Sequence, residues 1–306
     1  MRSSIILVLI LVSSCKQVKS DWIDRSLHEG LYNLDYSESF ETYSINKNPK
    51  NIKNTIGNLE EAKVYFDAIF KEDLSFAVLF VDNQNWDKYA YAPPPGMPQS
   101  FYGGNILLGL GKSVMASRWE QTLSQFSGSE IDTLKFHFGD SIDLDLFFRD
   151  GLSLHELAHL YQFVKIDDGM QRRWLSELFA NLCQVGAAKN LSNNSVYYQM
   201  DVFQQLLIDK ELWGDVQYRS LQDFEEHYFD IMKLGRNYGW YQTQFYVIAK
   251  QLHEKYGDDV LQNFRNLLIA IDPKKVSEIE DDKLELLIEQ YLGKEALNII
   301  NWDHDS

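Results

Sequence analysis

The chain has 306 residues, 45% of them hydrophobic and 14% aromatic, which is enough apolar mass for one large core or two small ones and too much for a disordered chain. Forty-five acidic against 29 basic side chains leave a net charge of −16, a field that repels phosphate backbones and anionic lipid surfaces and excludes nucleic acid as the expected partner.

The chain opens on "MRSSIILVLILVSSC": one positive charge at Arg2, an apolar run from Ile5 to Val12, then small residues. This anatomy predicts a signal peptide over residues 1–15, its apolar run too short to span a bilayer. Val12-Ser13-Ser14-Cys15 resembles the lipobox of bacterial lipoproteins. That resemblance implies acylation of Cys15 and a protein of the bacterial cell envelope, periplasmic or at the cell surface, tethered to the membrane by lipid. The one other cysteine, Cys183 in "ELFANLCQVGAA", is expected as a small buried hydrophobe with no disulfide.

Residues 16–58 are polar and predict an extended lead into a domain over 59–306. "NLEEAKVYFDAIFK" has helical spacing, with Leu59, Ala62, Phe66 and Ile69 or Phe70 on one side, and "LSFAVLFVD" is a short apolar run that predicts a buried strand. The span from Pro93 to Gly104 carries a turn vocabulary and is expected to be loop, with Asn105 to Leu110 as a strand near a sheet edge. Beyond residue 147 the patterns are helical nearly to the end, in segments such as "WYQTQFYVIAKQLHEKYG" and "DVLQNFRNLLIAI". A small strand-containing half followed by a helical half predicts the α+β class rather than a doubly wound sheet.

At the junction lies "SLHELAHLYQ". Residues four apart on a helix sit one above the other, so His155 and His159 can offer two nitrogens to one ion. Glu156 comes from the edge of the same face, where it can hold a water without ligating the ion. A catalytic zinc site needs a third protein ligand, and downstream "RRWLSELFANLCQ" supplies Glu177, with Asn181 one turn on. Asn181 is expected to orient a ligand histidine by accepting its other N–H. The remaining histidines, His28, His137, His227, His253 and His304, are expected to be ordinary core or surface residues.

His155-Glu156-x-x-His159 followed by "WLSELFAN" resembles the gluzincin zinc metallopeptidases, in particular the M1-like aminopeptidase superfamily and the shorter peptidase MA-like domains. The resemblance covers residues 148–190 well and 238–257 more loosely. It implies a thermolysin-like zincin domain, a Zn²⁺ ion on His155, His159 and Glu177, Glu156 as general base, and a peptide or protein substrate. It also implies a tyrosine, on a helix after the third ligand, that donates to the developing oxyanion; Tyr241 is the first choice and Tyr238 the reserve. Two features depart from the family pattern: seventeen residues separate His159 from Glu177, slightly fewer than usual, and no Gly-x-Met-Glu-Asn segment is present to bind a free amino terminus. The segment Gly103 to Leu107 is expected to border the cleft, as the edge against which an extended substrate pairs. The alternative is a surface lipoprotein that uses a zincin-like fold for binding or assembly, with a structural or inactive metal site.

Overall fold

The structure, a computed structural model, describes residues 22–301 apart from 93, 167 and 168. The expected signal peptide and Cys15 lie outside the described residues. Five short strands, β1 (Tyr32–Asn33), β2 (Glu41–Ser44), β3 (Ala77–Val81), β4 (Gln99–Phe101) and β5 (Asn105–Gly109), form one mixed sheet in the order β1-β2-β3-β5-β4. The pairs β2–β3 and β3–β5 are parallel, while β1 and β4 close the two sides antiparallel.

Helices α1 (Lys53–Phe70), α2 (Trp86–Tyr89), α3 (Val114–Glu120) and α4 (Gly128–Phe138) are interleaved with or follow the sheet. The second half is helical: α5 (Leu152–Phe163), α6 (Arg173–Asn190), α7 (Ser195–Asp209), α8 (Leu221–Glu226), α9 (Tyr228–Leu234), α10 (Arg236–Tyr256), α11 (Asp259–Ala270), α12 (Asp281–Leu292) and α13 (Lys294–Ile300). The α+β expectation holds: a five-stranded mixed sheet is followed by a mainly helical half. No helix among the described residues is long and apolar enough to cross a membrane.

Strand alternation divides the core. Val78, Phe80, Ile106 and Leu108 face the helices and join the main core, while Ala77, Leu79, Val81 and Leu107 face a smaller cluster built with Ile23, Trp86 and Tyr89. Because both faces are covered, β3 is apolar throughout and β5 from Ile106 to Leu108, which is why their runs are visible in the sequence. Helix α1 buries Leu59, Ala62, Phe66 and Phe70 as its spacing predicts, and ends where Lys71 turns left-handed and donates its N–H to Asp67 O. Cys183 is free and buried.

Three expectations are corrected. Part of the segment expected to be an extended lead is folded: Trp22 bonds Ser75 O, Ile23 covers one sheet face, residues 32–44 contribute β1 and β2, and α1 begins at Lys53. In β2 the buried positions are Thr42 and Ser44, so the strand carries no apolar run to reveal it. The span read as loop to Gly104 contains β4, and β4 covers β5, so Asn105–Gly109 is interior and Gln99–Phe101 is the edge. Finally, Gly103 and Gly104, expected to border the cleft, lie against the N-terminal segment. An added Cβ would stand 2.5 Å from Asp24 Cβ at Gly103 and 3.0 Å from the Trp22 ring at Gly104, so these glycines admit the N-terminal segment. Asn105 is tied to the same segment through Asp24 O and His28.

Candidate metal centre

A π-helical turn, Leu146–Gly151, leads directly into α5. Leu154, Leu157, Ala158 and Tyr161 bury one side of α5 in the core, which turns His155 and His159 toward α6. Helix α6 is buried along almost its whole length, so Glu177 has little freedom. His155, His159 and Glu177 are only 6%, 7% and 8% exposed, too buried for three solvated side chains that meet by chance. Their ligating atoms converge: His155 Nε2 to His159 Nε2 is 3.1 Å, His155 Nε2 to Glu177 Oε2 is 3.3 Å and His159 Nε2 to Glu177 Oε2 is 4.0 Å. Ligand bonds of about 2.0–2.1 Å in a tetrahedral shell put neighbouring donors about 3.3 Å apart. The three atoms therefore stand where one small cation could be shared, and they form a group able to hold a metal ion.

The electrostatics of Glu177 and His159 fit that use. Burial alone would discourage ionisation of Glu177, but the hydrogen bond from His155 and the two imidazoles outweigh it and bring its carboxyl down to about 2. Burial, helped by neighbouring His155, lowers His159 to about 4, leaving it neutral and able to ligate. His155 moves the other way: burial opposes its protonation, but Glu177 and Glu156 prevail and raise it. Burial pushes Glu156 up to about 7, against the opposing influence of His155 and of the Ser100 hydroxyl.

Around the three ligands stands a partial shell of supporting groups. Gln242 on α10 donates to Glu177 Oε2 at 2.8 Å, and Asn181 donates to Gln242 Oε1 at 2.9 Å and to Glu177 O at 2.9 Å. Asn181 thus steadies the glutamate through Gln242, and the expectation that it orients a histidine is corrected: the second nitrogen of His159 faces Ser176, and that of His155 meets no acceptor among the described residues. On the other side Ser176 Oγ lies 3.4 Å from His159 Nδ1 and donates to Gln162 Oε1 at 2.7 Å. His155 Nδ1 is buried without a hydrogen-bond partner among the described residues, a departure from the usual arrangement in which a ligating imidazole is held through its second nitrogen.

Glu156 leans toward the sheet, where Ser100 Oγ of β4 donates to its Oε2 at 2.6 Å. Tyr241 does not reach the site. Its ring is fully buried, 4.8 Å from that of Phe224, and its hydroxyl donates to Ser220 O at 2.7 Å. Tyr238, the reserve choice, lies close enough to the two site carboxylates that burial together with Glu177, Tyr228 and Glu156 raises its hydroxyl well above the ordinary value, so it remains a proton donor. The difference is one of helix position: Tyr238 stands four residues, about one turn, before Gln242, which bonds Glu177, while Tyr241 and Phe245 are fully buried in the core. Sequence reasoning missed Ser100, Gln242, Ser176 and Tyr228. For Gln242 a signal existed, since its spacing from Tyr238 matches that of Asn181 from Glu177 on the neighbouring helix.

With this geometry in hand, comparison with known proteins returned no matching family model, no matching curated protein and no matching solved structure.

Proposed function

We propose that this chain is a zinc-dependent peptide hydrolase of the gluzincin type, built on a thermolysin-like zincin domain. The observation that carries the reading is a carboxylate outside the ligand set, Glu156, next in sequence to His155 and held by Ser100, while three donor atoms stand 3.1, 3.3 and 4.0 Å from one another. A purely structural ion would need the ligands and not the extra carboxylate. Two imidazole nitrogens and one carboxylate oxygen are a donor set that suits zinc and leaves a coordination position for substrate.

His155, His159 and Glu177 would hold the ion, and zinc bound there would supply Lewis acidity toward a water and a carbonyl oxygen. The chain's own residues have separate tasks. Glu156 takes a proton from the attacking water and returns it to the departing amine. Tyr238 donates to the oxygen on which negative charge develops. Gln242 and Asn181 hold Glu177 in place, and β4, which has a sheet neighbour on one side only, offers its other edge to an extended peptide. The lipobox resemblance adds the location: a bacterial envelope protein anchored to the membrane through acylated Cys15, acting on peptides or proteins there.

The test is to purify the chain and its Glu156→Gln, His155→Ala and Glu177→Ala variants, and to measure bound zinc alongside cleavage of a mixed peptide library. The parent should hold one zinc per chain and cleave. Glu156→Gln should keep the zinc and lose at least about 10²-fold in rate, as befits removal of a general base, while the two ligand variants lose both. Zinc in parent and Glu156→Gln with cleavage in neither would remove the peptidase reading and favour a binding protein with a metal site.

A further inference from the structure

We infer that Ser100 is a positioning residue for Glu156, and that β4 thereby sets the base and the substrate in one register. The inference rests on the peptidase reading. A metal holds its ligands, but Glu156 is not a ligand, and a glutamate side chain left to itself samples several rotamers. Something other than the ion must hold its carboxylate. Ser100 does so with a hydroxyl to carboxylate bond of 2.6 Å to Oε2, a length typical of charge-assisted hydrogen bonds.

The platform behind that bond is stiff. Ser100 is 7% exposed and pairs with Ile106 of β5, which is itself paired with β3. On one side of it, the buried Gln99 side chain donates to Ala92 O at 2.5 Å and accepts from Tyr91 N at 3.1 Å. On the other, Phe101 O accepts from Gly104 N at 3.1 Å, and the turn residue Tyr102 stacks on Phe163 of α5, ring centroids 4.1 Å apart. Phe163 in turn stacks on His159. The hairpin is therefore fastened to α5 at two points, once by the stack of Tyr102 on Phe163 and once by Ser100 on the base. Because β4 is also the open edge of the sheet, the strand that would align an extended peptide is the strand that fixes where Glu156 stands.

The experiment uses the full zinc-loaded chain with Ser100→Ala and Ser100→Thr. If the inference holds, Ser100→Ala keeps the parent's zinc content and Tm, leaves KM within about twofold, and loses ~10- to 100-fold in kcat, the size of effect a misplaced catalytic group produces. Ser100→Thr, which keeps the hydroxyl, restores most of that loss. A kcat within about twofold of the parent, or a loss that follows lost zinc or a fallen Tm, overturns it. Should Ser100→Ala fail to fold, Ser100→Cys, nearly the same volume with a weaker donor, takes its place in each measurement. Crystal structures of the parent and Ser100→Ala, with and without zinc, decide the matter without turnover: the inference expects the Glu156 carboxylate to leave its place in the variant, and an unchanged, single position overturns it. A parent that binds zinc and cleaves nothing would sink the peptidase reading alone, because the crystallographic comparison would still decide the role of Ser100.

Discussion

At the scale of single residues, two tyrosines three positions apart have opposite fates. Tyr241 spends its hydroxyl on Ser220 O, whereas the hydroxyl of Tyr238 is raised by burial and by the charges of Glu177 and Glu156. Tyr241→Phe should cost stability, about 1 kcal/mol for a buried hydrogen bond whose acceptor is left behind, and leave hydrolysis intact. Tyr238→Phe should leave the melting temperature near that of the parent and lower kcat by about 10²–10³-fold, the usual loss of one oxyanion donor. Chemical denaturation and steady-state kinetics on the two variants separate these outcomes, and the reverse pattern would return Tyr241 to the site. Gln242 makes a third case. Its amide is bonded to Glu177 Oε2 and to Asn181, so Gln242→Leu should weaken zinc binding about 10- to 100-fold with helix content unchanged. Competition against a coloured chelator measures this, and an affinity equal to the parent's would show that the helix alone positions Glu177. His155, His159 and Glu177 were legible in the sequence because their spacing is local to one or two helices. Ser100 was not, since its partner lies 56 positions away and nothing in "GMPQSFYGG" marks a strand.

At the scale of elements, α5 is also held by an ionic joint at its C-terminal end, built on Arg265 and Glu72. Arg265 of α11 is 2% exposed. Its Nε donates to Tyr161 O at 2.9 Å, its Nη2 meets Glu72 beyond the end of α1, and its guanidinium lies over the Phe70 ring. Lys165, just after α5, pairs with the other oxygen of Glu72. Arg265→Met leaves the half-buried Glu72 with Lys165 alone and takes a buried guanidinium from the core, and should destabilise the fold by about 1–3 kcal/mol, read as a lower denaturation midpoint. The joint also predicts a pH dependence. Burial opposes ionisation of Glu72, but the bonds from Lys165 and Arg265 outweigh it and hold the carboxyl below its ordinary 4.5. The folded chain thus binds this proton less readily than the unfolded one. The stabilisation is complete above the unfolded value and is lost as pH falls through the folded one. Glu72→Gln should be less stable than the parent at neutral pH and show a shallower decline below about pH 4.5; parallel declines in the two would remove Glu72 as a source of acid sensitivity. None of this joint was legible beforehand. An arginine in "DVLQNFRNLLIAI" reads as a polar face until the fold brings Glu72 and Tyr161 to it.

At the scale of the whole molecule, the sheet and the helical half meet at the site, one giving the edge strand and Ser100, the other giving the ligands. The order of the halves was legible because β3, β5, α1 and the later helices are apolar in period. The true edge was hidden because β4 is short and its first two residues are polar. This division has a consequence for metal removal. Helices α5 and α6 are secured by Leu154, Leu157, Leu175 and Leu178, all essentially buried, and by the Arg265 joint, so the ligands are held before any ion arrives. A catalytic site of this kind is preformed, unlike a structural zinc site whose apo chain unfolds. Chelation should therefore leave the far-ultraviolet circular dichroism unchanged while lowering the melting temperature. Restored zinc at about a thousand times its Kd should return about 4 kcal/mol of stability. His155→Ala should show no such zinc-dependent gain. If chelation instead removed helical signal in the parent, the ion would be a folding element, and the case for an open catalytic position on His155, His159 and Glu177 would weaken accordingly.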